Sequence, residues 1–459
     1  MLDFLFITSP THRRSIHPPY YFLYLAGYLE SRGWKCKIID RADKVQAKDA
    51  ILRNPARFVG FSCFTPDYAV VMDLAKYTRA VQPKTSILVG NAHAAACMED
   101  FYYEGSPITF VVKGEGEKTL NDLAKGDGTA VSPEKLIKGS EIAQPAYHLI
   151  DMKPYRRPQR DLIRWIYTRS IAIFGSRGRP YNCKFCSANM VWQSGGEKKV
   201  RYRPVSSVIW EMWNLKENYG MDYIYFQDDM FGANKKWTEE FFVLKSTSKW
   251  TSSVESMPYA VQLRANHATE ELIRGLKETG CVQVDIGVES GSQRLLDLMD
   301  KKITVEQVKE AFSLIKKYKM RTFASFMINL PTERYTDLAY SDILEMNIEL
   351  DGSVVSITTP YPGTQIHGDY KIKLDKKDYW KYLDARNDEV FRMSEHKLNF
   401  SWLKRSVDRG YRVRPVFRLL GPMKWWYWKR VDLRYLWEWL KIIPIDFLKY
   451  FFFYFRNRI

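Results

Sequence analysis

The sequence predicts an α/β protein: two parallel-sheet units in series, then an aromatic and basic tail. Three observations predict it. β-rich runs alternate with helical stretches from residue 1 to about 145; the alternation resumes as six strand–helix units up to about residue 370; and it stops there. Strands that alternate with helices form parallel sheets covered on both faces.

The first unit has strands LDFLFIT, KCKIID, FVGFSCF, SILVGN and TFVVKG. PYYFLYLAGYLESRG is a helix with an apolar stripe, and Gly33 ends it. Such a Rossmann-like sheet binds ligands outside the carboxyl ends of its strands. Those ends read TSPTH, CFTPD, GNAHAA and KGEGE. Residues 151–165, DMKPYRRPQRDLIRW, are rich in proline and arginine and read as a linker. The second unit has strands SIAIFG, YIYFQDD, YAVQLRA, QVDIGVE, TFASFMIN and SVVSITT, a run that predicts a partial (β/α)6 barrel of the TIM type. Asp228, Asp229, Arg264, Glu289 and Asn329 collect at its strand ends. The expected division is 1–150, the linker 151–165, the barrel 166–370 and a helical region 371–459.

A chain of 459 residues is long enough for two or three domains with sizeable cores. Its 70 basic and 53 acidic residues leave a net charge of +17. That surplus is either a solvated basic surface or a preference for an anionic partner: nucleic acid, a phosphate-bearing cofactor or a membrane surface. Six cysteines do not make a disulfide framework in so long a chain. Cys36, Cys63, Cys97 and Cys281 stand among apolar neighbours and read as buried thiols, which implies a reducing, cytoplasmic compartment. The N-terminus lacks a basic leader, and no uncharged run approaches the length of a membrane span. The end of the chain, GPMKWWYWKRVDLRYLWEWLKIIPIDFLKYFFFYFRNRI, interleaves aromatic and basic residues. It reads either as helices packed on the barrel or, preferred here, as a peripheral membrane-surface segment. Its contiguous aromatic blocks disfavour a nucleic-acid surface, which uses spaced stacking platforms.

The chemistry centres on GSRGRPYNCKFCSANM, residues 175–190. Cys183 and Cys186 alone are a weak signal: half a zinc knuckle with no second pair, a redox dithiol, or an idle pair. Their place strengthens it. A glycine-bearing loop after the first barrel strand is where a barrel would hold an iron–sulfur cluster. Four residues before Cys183, where a cysteine would complete C-x3-C-x2-C, stands Arg179.

This loop resembles that of the radical S-adenosylmethionine (SAM) enzymes, and the chain over roughly residues 1–370 is similar to their cobalamin-binding subgroup. YIYFQDDMF, VQLRAN, DIGVESGSQRLLDLMDKKIT, SFMINLPTE and PYPGT follow the family's order, with Asn329 where glycine is usual. In the first unit GNAHAA stands for the family's G-G-x-H-A, with Asn91 in a glycine position. The cobalt-ligating motif D-x-H-x-x-G is absent. The resemblance implies a [4Fe–4S] cluster, SAM and cobalamin as cofactors. It implies cluster ligands at Cys183 and Cys186, and SAM contacts from Phe185, Asp228, Arg264, Glu289, Asn329 and Pro362. Of these, Glu289 would accept from the ribose and Arg264 would pair with the SAM carboxylate, unless the two form a structural ion pair. Cobalamin contacts would come from Thr8, Ser62, Thr65, Gly90, His93, Gly114, Glu115 and Gly116; the plainer reading of KGEGE is a glycine turn opening a helix.

Arginine has no lone pair to offer iron. Four explanations stay open: a third ligand from elsewhere (Cys281 starts its strand at the wrong end), weak binding by two cysteines, a degenerate site in a cobalamin or lipid binder, or a recent single-base change. The implied function is methyl transfer or a related modification of an unactivated carbon on a hydrophobic or lipid substrate, with a reducing electron-transfer protein as partner. The rivals are a non-catalytic cobalamin- or SAM-binding homologue and an RNA-modifying radical enzyme.

Overall fold

A computed structural model describes residues 1–127, 136–159, 162, 168–188, 200–228, 230–247, 251–348, 350–383 and 391–395. Both expected sheets are present. In the first, β1 (Leu2–Ile7), β2 (Cys36–Ile39), β3 (Ala56–Ser62), β4 (Ser86–Gly90) and β5 (Phe110–Val111) run parallel in the order β2-β1-β3-β4-β5. The order reverses between β1 and β3, which places the ligand crevice at their carboxyl ends.

In the second half the first strand is β6 (Ser170–Ile173), and a short antiparallel hairpin follows, β7 (Ser176–Arg177) with β8 (Arg201–Tyr202). Then come β9 (Tyr223–Phe226), β10 (Tyr259–Leu263), β11 (Cys281–Glu289), β12 (Arg321–Ile328) and β13 (Gly352–Ile357). β6 and β9–β13 form one open parallel sheet in chain order, a half-barrel whose carboxyl ends share one rim. Helices return the chain between strands. Those at Glu270–Glu278 and Val305–Lys317 begin on the hydroxyl caps Thr269 and Thr304.

The first sheet is apolar on both faces, as a parallel sheet must be. Leu5, Ile7, Val59 and Val89 pack against Ile51, Val71 and Leu74. On the other face Phe4 stacks on Phe58 at 5.0 Å and Phe6 on Phe22 at 4.9 Å. That second core continues through Tyr147, Met152 and Tyr155 into Ile171, Met212 and Ile224 of the barrel. The two halves therefore share one apolar core.

The stretch expected as a linker is docked where it is described. Tyr155 is 2 % exposed and donates to Asp40 Oδ2 at 2.5 Å. Just before it, Tyr147 donates to Glu211 Oε1 at 2.8 Å. A side chain at Gly27 would collide with the Gln144 carbonyl, so only glycine lets residues 144–146 lie against the helix Tyr20–Glu30. Proline and arginine in the segment's composition conceal its one tyrosine anchor, Tyr155.

The deepest ion pair joins Arg203 and Glu211, each 1 % exposed, at 2.5 Å. Arg203 also donates to the Phe174 carbonyl at 2.8 Å and to Gln144 Oε1 at 3.1 Å. Breaking a buried pair strands a charge, whereas replacing both partners does not. Arg203→Met is expected to lower the unfolding free energy by about 3–5 kcal/mol in urea titrations, and adding Glu211→Leu is expected to recover much of that loss.

Candidate functional site

The β7–β8 hairpin is held against the first domain by charge. Arg177 Nη1 lies 2.6 Å from Glu117 Oε1 and 3.3 Å from Glu115 Oε2. Arg201 grips Glu115 with both terminal nitrogens. All four side chains are 9 % exposed or less. Glu115, expected to face cobalamin, instead turns its carboxylate to these arginines. Gly114, at φ 76°, makes the turn after β5, and Gly116 precedes the helix Glu117–Lys125.

The cysteine loop leaves β7 directly. Cys183 is buried, Cys186 is half-buried, and the Cys186 amide donates to the Cys183 carbonyl at 3.1 Å. Arg179 Nη1 donates to Cys186 Sγ. The Lys184 amide donates to the Met299 carbonyl at 3.2 Å, and Phe185 packs on Leu295, Met299, Leu330 and Ile366. Cys281 begins β11 at the far end of the barrel from this rim. It is 1 % exposed, and burial pushes its thiol up to about 12.

The other expected residues do reach the rim, but several are engaged by protein. Asp228 is 3 % exposed and accepts from the Gly175 amide at 2.9 Å and Ser176 Oγ at 2.5 Å, so it braces the strand leading into the cysteine loop. Arg264 donates to the Lys301 and Lys302 carbonyls, and its guanidinium lies 3.7 Å from the Tyr181 ring centroid. Glu289 Oε1 accepts from Lys301 Nζ at 2.5 Å. Asn329 sits at φ 65°, a left-handed conformation that asparagine tolerates better than most residues. Its Nδ2 donates to the Thr358 and Phe391 carbonyls, and its Oδ1 accepts from Met393 and Ser394. The amide is thus a clasp for residues 391–395 rather than a face for a ligand. Pro362 is buried in the turn after β13.

Sequence reasoning missed Lys301, Tyr181 and His267. His267 Nε2 lies 3.2 Å from the Tyr181 hydroxyl, and burial, with Arg264 nearby, holds its pKa below the ordinary histidine value. The lysine was visible in MDKKIT, but nothing in spacing ties it to a glutamate twelve residues earlier.

At the β1/β3 crevice, hydroxyls dominate. Thr8 Oγ1 lies 3.4 Å from Asp40 Oδ1, and Ser9 Oγ donates to Asp67 Oδ1 at 2.9 Å. Ser62 Oγ accepts from Asn91 Nδ2 at 2.9 Å, and Thr65 is buried beside it. Phe64 is 43 % exposed. Asn91, just after Gly90, takes φ 81° and ψ −171°, a region almost reserved for glycine, so the backbone keeps the shape the missing glycine would have had. His93 departs from expectation. It is 0 % exposed, ringed by Tyr68, Phe101 and Tyr379, and faces Asp100 inside the domain.

His93, Cys97 and Asp100 place ligand-type atoms within 4.8 Å of one another. The segment after the barrel closes that cluster: Lys376 Nζ lies 3.0 Å from Asp100 Oδ1, and the Tyr379 hydroxyl donates to Oδ2 at 2.9 Å. It is an anchor for the 3-10 helix Lys376–Leu383. The rest of the expected helical tail, residues 384–390 and those from 396 on, lies outside the described residues. Among the described residues no helix is long and apolar enough to cross a membrane.

Comparison with known proteins agrees with this architecture. The B12 binding domain family model matches residues 11–124, and the Radical SAM superfamily model matches residues 174–341. The matches place a B12-binding domain on the first sheet and a radical SAM domain on the half-barrel that follows it. It is 28 % identical to an uncharacterized methyltransferase of Pyrococcus horikoshii, across 81 % of this chain and 79 % of that one. It is 25 % identical to the anaerobic magnesium-protoporphyrin IX monomethyl ester cyclase of Cereibacter sphaeroides, across 80 % of this chain and 62 % of that one. Among solved structures, the radical SAM methyltransferase TsrM of Kitasatospora setae, with cobalamin and a [4Fe–4S] cluster bound, shares the fold. Its TM-score is 0.65 at 18 % identity, over 89 % of this chain and 90 % of that one.

Asp100 sets a pH dependence for the anchored segment. Burial raises its pKa, but the contacts of Lys376 and Tyr379, with the His93 ring close by, outweigh burial and hold it below the usual carboxylate value. A carboxyl depressed by folding contributes stability above its unfolded pKa and loses it as pH falls through the folded one. Hydrogen exchange corrected for intrinsic rates is expected to show residues 376–383 loosening as pH drops below about 4, and Asp100→Asn loosened already at pH 7.

Proposed function

We propose that this protein is a methyl-transfer enzyme of the cobalamin-dependent radical SAM type, with cobalamin at the β1/β3 crevice, SAM at the barrel rim and a hydrophobic small molecule as substrate. The observation that carries the reading is the arginine–glutamate clamp: it holds the loop after β7 against the turn after β5, so two ligand-binding strand ends form one body. The crevice suits a large, flat, amide-rimmed ligand. The buried hydroxyls of Thr8, Ser9, Ser62 and Thr65 make its floor polar, and exposed Phe64 offers an apolar shelf. The rim suits a nucleoside: Phe185 gives a backbone and ring beside the loop, and Glu289 keeps one carboxylate oxygen with no hydrogen bond among the described residues.

When bound, SAM supplies a methyl group or a radical, and cobalamin carries the methyl group. The chain's own part is to hold both in register, to exclude water with the Met299, Leu330 and Ile366 cluster, and to orient the nucleoside through Glu289. The resemblance to a macrocycle-modifying cyclase favours a hydrophobic substrate. The aromatic, basic residues 421–459 extend that proposal to substrate reached at an anionic membrane surface. Vesicles of anionic lipid should bind the full chain and not a chain ending at residue 420; equal indifference of both would refute this part.

The cluster fits less well. Two thiols and a guanidinium are not the three thiolates that a [4Fe–4S] cluster needs, and Arg179 is seated on one of the two thiols. That contact favours a second reading, in which the chain binds both cofactors without radical chemistry; a reducing partner protein belongs only to the radical reading. Purified wild type and Arg179→Cys, reconstituted anaerobically, separate the two. Both should bind cobalamin and SAM. Arg179→Cys should hold about four irons per chain with matching sulfide. Four irons in the wild type would mean a third ligand from outside this loop, and failure to bind either cofactor would contradict the proposed function.

A further inference from the structure

The rim holds an unusual concentration of strained backbone. Glu289, Asp300, Lys302, Asn329 and Thr332 all have positive φ, at 66°, 52°, 54°, 65° and 56°. Residues other than glycine adopt this region uncommonly; Asp300 does so as the residue ending the helix Gln293–Leu298, and the others stand where strain collects, at strand ends and turns near a site. One of the five, Glu289, belongs to an ion pair with Lys301, Nζ to Oε1 at 2.5 Å, and two more, Asp300 and Lys302, flank that lysine.

Each element near that pair is shaped to it. β11 slips register against β12 between Gly287 and Glu289, a bulge of the kind that re-aims a side chain. A Cβ at Gly287 would lie 2.7 Å from Glu289 Oε1 and 3.2 Å from Lys301 Nζ, so glycine there is what leaves room for the pair. Lys301 stands between two left-handed residues, and its own carbonyl is gripped by Arg264. The side chains of Lys301 and Glu289 are only 8 % and 13 % exposed. A solvated surface pair would need none of this.

We infer that Lys301 is a positioning residue for the nucleoside end of the rim ligand: its ammonium pins Glu289 Oε1 so that Oε2 is presented to vicinal hydroxyl donors. Arg264 acts one step further back. It fixes the Lys301 turn through two backbone carbonyls, with its guanidinium against the Tyr181 ring, rather than meeting the ligand's carboxylate. The inference rests on the proposed function, because it takes Glu289 to face the SAM ribose.

The test is equilibrium binding of SAM and of 5′-methylthioadenosine, which shares the nucleoside and lacks the amino-acid end. Lys301→Met should weaken both by the same factor, about tenfold, since it removes one positioned interaction. Lys301→Arg should restore most of the affinity, and Gly287→Ala, which keeps both charges, should reproduce the loss. In Glu289→Gln the further effect of Lys301→Met should vanish. Circular dichroism confirms which variants are folded, and if Lys301→Met is not, Gly287→Ala and Lys301→Arg carry the test. Loss for SAM alone would overturn the inference, because Lys301 would then be meeting the carboxylate end, and unchanged affinity for both would overturn it too. A wild type that binds neither compound refutes the inference together with the proposed function, and is recognised because it fails before any substitution.

Discussion

Four buried charges join the halves of this molecule. Arg177 and Arg201 on the β7–β8 hairpin meet Glu115 and Glu117 at the end of β5. Taking such groups out of water costs several kcal/mol per ion, which is tolerable only when each is paired and hydrogen-bonded. The pairing is therefore a poor way to gain stability and a good way to fix geometry. It fixes the approach of the cysteine loop, which leaves β7, to the strand ends of the first domain. Apolar packing alone would not do so. The shared core between the halves is non-directional, whereas forked guanidinium–carboxylate contacts set orientation.

The same logic recurs at the rim and the crevice. Asp228 braces the start of the cysteine loop, Asn329 clasps residues 391–395, and Asp100 anchors the 3-10 helix Lys376–Leu383. Asp228 and Asn329 lie just after strands, where open barrels bind ligands, and Asp100 closes the short 3-10 turn Met98–Asp100. Here they are held by protein, and Asn329 keeps its own positive φ within such a clasp. Glu289 differs: Lys301 holds one of its carboxylate oxygens, and the other accepts no hydrogen bond among the described residues.

Much of this was legible in the sequence. The eleven strands of the two main sheets fall in the runs that hydrophobic patterning marks, because parallel strands read as short apolar blocks between helices. The motif also names residues that the fold places at strand ends, because its blocks follow the strands in order. What those side chains do there was not. Glu115 and His93 turn away from the crevice toward Arg177 and Asp100, partners 62 and 7 residues away. Lys376 and Tyr379 reach Asp100 across more than 270 residues, a distance no periodicity spans. Lys301 escaped notice because a lysine in a turn reads as solvated until the bulge at Glu289 and the bare Gly287 are seen beside it.

The central claim is that the clamp makes one body of two cofactor sites. The most direct measurement is SAM affinity with and without saturating cobalamin, in the wild type and in Arg177→Met. Coupled sites change each other's affinity by a common factor, typically about fivefold or more. The account predicts such coupling in the wild type, and its disappearance in Arg177→Met while each cofactor still binds alone. Independent binding in the wild type would contradict it.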